Sequence, residues 1–243
     1  MLTLPSPMTS LKLLPPSACG EYYCRVSLNL YSSSTGKELA TQVKKGRHLK
    51  LLLTTATENA IQVQLCEEGY TAWLQLTDIN ALEPAPSPYQ PILISRGEIE
   101  SRLPQIIAFM KAAMNHANYY LWGGTVGPNY DCSGLIQAAF ATSEIWLPRD
   151  SYQQEAFTQR ISQRELLPGD LIFFGTQRVD HVALYLGEKY YIHSSGQAIG
   201  RNKIAIDTLS NEGDAVSRGY YEKLWSVGRV TKSYCPSRSQ KLF

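Results

Sequence analysis

From Tyr22 onward the chain runs as short apolar stretches separated by polar turns. Residues 26–31, 47–53, 60–65 and 71–76 recur at intervals suited to a small closed sheet, which predicts a β-barrel of about five strands. The segment 83–91 then places proline at positions 84, 86, 88 and 91, removing backbone donors and predicting a stiff extended connector. Beyond it Ile106, Ile107, Met110, Ala113 and Met114 follow helical spacing within 98–116, with Pro104 in the first turns or at a break. Leu135, Ile136, Ala139 and Phe140 predict a second helix after Cys132, and strands follow at 170–174, 181–186 and 189–193. Helices first and antiparallel strands afterwards indicate an α+β fold. The chain therefore divides into an arm (1–18), a barrel (19–83), a Pro-rich linker (84–96), an α+β domain (97–235) and a tail (236–243).

Composition narrows the functions available. With 243 residues, 44% hydrophobic and 18% charged, disorder and fibrous repeats are excluded. A net charge of +2 supplies no broad field for nucleic acid or anionic lipid, so neither is expected as a partner. No apolar run approaches the roughly 18 residues of a membrane helix. The opening MLTLPSPMTSLKLLPPS has no basic leader and is interrupted by prolines, which gives a cytoplasmic location as the expectation. Five cysteines, an odd number without paired metal spacing, argue against a disulfide framework. The 15 tyrosines fit half-buried strands.

The candidate chemistry centres on Cys132 and two of the four histidines. Cys132 precedes the second helical stripe, so it sits at a helix start where amides and dipole favour thiolate; a buried structural cysteine is the bland alternative. His181 and His193 flank Gly187 six residues to each side, and a hairpin pivoting there sets them opposite one another. One strand face then carries His181, Ala183, Tyr185, Tyr191, His193 and Ser195, and the other carries Val182, Leu184, Leu186, Tyr190 and Ile192. Cysteine, histidine and a polar group that orients the histidine make an activated thiol nucleophile. Two alternatives stay open: the histidines are hydrogen-bonded surface residues, or they join Cys132 in a zinc site that lacks a fourth ligand. His48 and His116 have no comparable setting.

An ordered motif series runs Tyr120-Leu121-Trp122-Gly123-Gly124, Asp131-Cys132-Ser133-Gly134-Leu135, Leu167-Pro168-Gly169-Asp170-Leu171, His181-Val182-Ala183-Leu184 and Tyr191-Ile192-His193-Ser194. It resembles that of the NlpC-type cell-wall peptidases, papain-like cysteine enzymes, over about residues 98–230. The first domain is similar to a bacterial SH3-like barrel: Gly69-Tyr70-Thr71-Ala72-Trp73-Leu74 matches its GxxGWV hallmark with Ala72 in place of Gly. The resemblance implies hydrolysis of the γ-D-glutamyl–diamino acid bond of peptidoglycan stem peptides, without metal or cofactor. It makes Cys132 the nucleophile, His181 the general base and His193 the orienting residue. Tyr120 becomes an oxyanion donor, its alternative role being packing. The segment Pro148-Arg149-Asp150-Ser151 resembles a cleft-lining stretch in which Asp150 and Ser151 bind peptide; a helix-start Arg149–Asp150 ion pair with Ser151 exposed is the equal alternative. In similar two-domain enzymes the residue before the nucleophile pairs with the free amine of an N-terminal L-Ala, helped by a barrel tyrosine and the residue after the nucleophile. Those positions are Asp131, Tyr70 and Ser133, with a plain N-cap as the other reading of Asp131. Recycling of released stem peptides is the expected role, against a secreted wall hydrolase or a catalytically silent wall-peptide binding module.

Overall fold

The computed structural model describes residues 14–236, so most of the expected arm and tail lie outside the described residues. The described chain divides into two compact units, one holding residues 14–91 together with Cys235 and Pro236, the other Ile92–Tyr234.

The first unit is a seven-stranded antiparallel sheet: β1 (Glu21–Cys24), β2 (Leu28–Tyr31), β3 (Leu39–Val43), β4 (His48–Leu52), β5 (Ala60–Leu65), β6 (Thr71–Gln75) and β7 (Leu82–Pro84). Alternate residues of these strands, among them Leu30, Leu49, Ile61, Val63 and Leu74, fill one core. The sheet exceeds the expected five strands because β1, β3 and β7 are short and weakly alternating. Pro84, read as the start of the linker, ends β7, an edge strand bonded only to β1, where a missing N–H costs no ladder bond. The Pro-rich stretch that follows is tied to the sheet: Ala85 N–H donates to the Glu21 carbonyl at 2.9 Å and Tyr89 N–H to the Glu21 carboxylate at 2.6 Å.

The second unit has the expected α+β arrangement. Helix α1 (Arg96–Asn115) starts at a capping box between Ser95 and Glu98, continues through Pro104, and buries Ile99, Leu103, Ile106 and Met110 along one stripe. Helix α2 (Cys132–Ala141) and the short α3 (Ser151–Phe157) follow. Then come β8 (Gln159–Ile161), β9 (Leu171–Gly175), β10 (Val179–Gly187), β11 (Tyr190–Ser195), β12 (Lys203–Thr208), α4 (Ala215–Tyr221) and β13 (Leu224–Arg229). The strands form an antiparallel sheet in the order β12-β11-β10-β9-β13-β8. Val182, Leu184 and Ile192 join Phe140 of α2 and Met110 of α1 in one core. The opposite face packs Phe174, Ala183 and Tyr191 with Tyr220 of α4.

Candidate active site

Asp131 is the N-cap of α2, extended at φ −84° and ψ −179°, with its Oδ1 accepting the Gly134 N–H at 2.7 Å. Cys132 is therefore the first residue of that helix, and it is 6% exposed. Two motif glycines are steric requirements. A Cβ on Gly134 would stand 2.0 Å from the Gly124 carbonyl oxygen, and one on Gly124 would stand 2.6 Å from that of Asn129. The loop carrying Tyr120 thus lies directly against the helix start. At Cys132 the helix-start preference for thiolate is overridden. Burial, then the Asp131 charge, push the thiol up to about 12, against the backbone N–H groups of Val182 and Ser133 and the Arg149 charge.

The Val182 amide that faces the sulfur belongs to the residue after His181. His181 Nε2 lies 2.8 Å from His193 Nδ1, which leaves His181 Nδ1 for the thiol. The two histidines are not directly opposed as a pivot at Gly187 requires. The ladder pairs Leu184 with Ile192 and Tyr185 with Tyr191, then shifts at a bulge between Tyr185 and Gly187. Glu188 and Lys189 make the turn at φ +49° and +65°. Continued along the strands, that register sets His193 across from Ala183, two residues from His181. An even displacement preserves the face, so the rings still meet, diagonally. Tyr220 covers both, its ring centroid 4.6 Å from His181 and 5.0 Å from His193. Burial, then His193 and Lys223, hold His181 well below the ordinary imidazole value, and burial lowers His193 as well. Both shifts act in the direction of the neutral forms, thiol and imidazole.

The chain of contacts continues past His193. Its Nε2 lies 2.9 Å from Asp207 Oδ2 on β12, both side chains being at most 1% exposed. Asp207 Oδ1 accepts from Arg201, with Nε at 3.2 Å and Nη2 closer, and Arg201 also donates to Asp214, the N-cap of α4. Nothing in the sequence singled out Asp207 or Arg201. In Lys-Ile-Ala-Ile-Asp-Thr a polarity rule turns the aspartate outward, whereas Asp207 is buried and Ile206 exposed.

Tyr120 is half-buried; burial, then Cys132 and Asp131, keep its phenol protonated, so it stands as a donor near the sulfur. Arg149, 2% exposed, pairs with Asp131 at 2.6 Å through Nη2 and also donates to Ser133 Oγ at 3.0 Å. The alternative reading pairs Arg149 with Asp150; the structure pairs it with Asp131, and its charge still bears on Asp150. Asp150 is the N-cap of α3, its N–H donating to Gln153 Oε1 at 3.2 Å, and Ser151 is buried, not exposed. Burial raises the Asp150 carboxyl. Tyr70 is partly buried against the core of the first unit. Among the described residues no group of three or more His, Cys, Asp or Glu is placed to hold a metal ion.

These residues lie within segments that match known families. Residues 117–225 match the NlpC/P60 family and residues 30–79 match the bacterial dipeptidyl-peptidase Sh3 domain. The chain is 31% identical over 173 residues to a γ-D-glutamyl-L-lysine dipeptidyl-peptidase of Bacillus cereus, covering 68% of this chain and 46% of that protein. It is 38% identical over 96 residues to the bifunctional muramidase/DL-endopeptidase CwlT of Bacillus subtilis, covering 37% of this chain and 29% of that one. It spans less than half the length of these curated relatives. A solved NlpC/P60 family protein from Bacillus cereus aligns at 25% identity and a TM-score of 0.46, over 86% of this chain and 62% of that chain. Residues 117–225 thus form an NlpC/P60 domain, which follows a bacterial SH3 domain at residues 30–79.

Proposed function

We propose that this protein is a cysteine endopeptidase that hydrolyses the γ-D-glutamyl–diamino acid bond of peptidoglycan stem peptides. The observation that carries this reading is the 2.8 Å His181–His193 contact, set beside a helix-start cysteine whose sulfur meets the amide following His181. As Sγ of Cys132 attacks the γ-carbonyl, its proton passes to His181 Nδ1, so charge separates only when substrate is present. The protonated Tyr120 phenol and the Cys132 amide hold the oxyanion. The tetrahedral intermediate collapses with cleavage of the C–N bond, and the His181 imidazolium protonates the departing amine. Water then attacks the thioester, giving a proton to His181, which returns it to the sulfur.

Two names support a narrower substrate: that of the Bacillus cereus relative, and that of the family matched by residues 30–79. The first is a dipeptidyl-peptidase and the second an SH3 domain named after such enzymes, which supports cleavage after a free L-Ala-γ-D-Glu and L-lysine as one diamino acid released. Wall peptides carry an acylated L-Ala nitrogen, so a free-amine requirement fits recycling of released peptides, and with it a cytoplasmic setting. Asp131, beside the nucleophile, is the group we propose for the ammonium, with Ser133, Asp150 and Ser151 completing the peptide contacts. Mass spectrometry after incubation with L-Ala-γ-D-Glu-L-Lys, its diaminopimelate counterpart and their N-acetyl forms tests this. Release of the diamino acid from the free peptides is expected. No cleavage of any of them contradicts the endopeptidase reading and favours a silent binding module; equal cleavage of capped and free forms removes the recycling role and favours a secreted wall hydrolase.

A further inference from the structure

We propose that Asp207 sets the protonation pattern of the histidine pair and is a positioning residue for His181, with Arg201 as the clamp that fixes it. The proposal deepens the peptidase reading and rests on it for its kinetic readout alone.

A buried carboxylate only accepts hydrogen bonds, so the 2.9 Å contact to Asp207 Oδ2 requires His193 to carry its proton on Nε2. His193 Nδ1 is then an acceptor. The 2.8 Å contact to it requires His181 to be protonated on Nε2 in turn, which leaves a lone pair on His181 Nδ1 for the thiol. Each step in this chain follows from the one before, and its first member is Asp207. Without an acceptor at that place, His193 can carry its proton on Nδ1 and donate to His181 Nε2. His181 is then protonated on the nitrogen that must accept from Cys132.

Arg201 makes the arrangement one-directional. Its Nη2 and Nε donate to Asp207 Oδ1, Nε reaching Oδ2 only at 3.4 Å, so the guanidinium bears chiefly on Oδ1, and Ser217 Oγ lies 3.5 Å from that same oxygen. An amide in place of the carboxylate has one oxygen, which the guanidinium claims. Its NH₂ group then faces His193 and donates to Nε2, inverting both rings. A purely structural Asp207, serving only to hold Arg201 and the start of α4, predicts no such inversion, because asparagine keeps the shape and the Arg201 hydrogen bonds.

The test is ¹⁵N NMR of the full chain labelled at histidine, with His48 and His116 assigned by substitution, alongside kinetics of Asp207→Asn on L-Ala-γ-D-Glu-L-Lys. In the unchanged chain both His181 and His193 are expected to be protonated on Nε2. In Asp207→Asn the proton moves to Nδ1 in both, and kcat falls by about 10²–10⁴-fold at nearly unchanged KM. Nδ1-protonated His193 in the unchanged chain, or a folded Asp207→Asn with wild-type kcat, overturns the proposal. The unchanged-chain spectrum decides even where the variant fails to fold. If the unchanged chain cuts no peptide, the peptidase reading fails, while the ring assignments still decide the role of Asp207.

Discussion

Five donors converge on the Asp131 carboxylate: the N–H groups of Gly123 and Gly134, the Ser133 hydroxyl and two guanidinium nitrogens of Arg149. A carboxylate offers about four lone-pair sites, so these donors already hold and neutralise this one in the folded chain. The arrangement fixes the helix start that presents Cys132, and it ties the nucleophile's position to an arginine 17 residues further along the chain. Arg149→Met is expected to cost about 3–5 kcal/mol, because it leaves a buried carboxylate without its counter-charge. The urea midpoint measures this, and adding Asp131→Asn to the same chain should recover most of the loss. A single variant within about 1 kcal/mol of the parent would show that the pair contributes no more than an exposed one. Gly134→Ala should be worse for the site than its size suggests, since the Cβ would stand 2.0 Å from the Gly124 carbonyl oxygen and displace the helix start; loss of lysine release from L-Ala-γ-D-Glu-L-Lys by the folded variant is the readout.

The hairpin of β10 and β11 holds two neutral, buried imidazoles, and this sets a pH signature. Both histidines lie below their ordinary value when folded, so protonation is refused in the folded chain at a pH where the unfolded chain accepts it. Their contribution to stability is present above about pH 6.5 and is lost as pH falls through the folded values. The same shift displaces the acid limb of kcat/KM: activity should persist below about pH 6.5, where an ordinary imidazole is half protonated. An acid limb at or above that pH contradicts the burial of the pair. The sequence revealed this hairpin because the observed pairing differs from the expected one by an even step: the bulge between Tyr185 and Gly187 offsets the two-residue turn and leaves both histidines on one face. It did not reveal β12, whose buried aspartate and exposed isoleucine reverse the usual polarity of a strand, nor Arg149, whose partner is distant in sequence. In the first unit β4, β5 and β6 were legible through their alternation. Strand β7 was hidden because Pro84 reads as linker unless the strand is known to lie at an edge.

At the scale of the whole molecule, an SH3 domain and an NlpC/P60 domain share one chain. If Asp131 receives a substrate ammonium, it does so while already neutralised by Arg149, so the free-over-capped preference should be moderate. We expect kcat/KM for L-Ala-γ-D-Glu-L-Lys to exceed that of its N-acetyl form by about 10–100-fold, below the several hundredfold or more expected of an unshared buried pair. Asp131→Asn should reduce that ratio. The central claim is that Cys132 forms the covalent link to the γ-glutamyl carbonyl. Acid quenching during turnover of L-Ala-γ-D-Glu-L-Lys, followed by mass spectrometry of the digested protein, tests it most directly. The predicted result is an L-Ala-D-Glu thioester on the peptide containing Cys132, absent in Cys132→Ala together with lysine release. Lysine release that continues in Cys132→Ala, or an acyl group found on another residue, would contradict it.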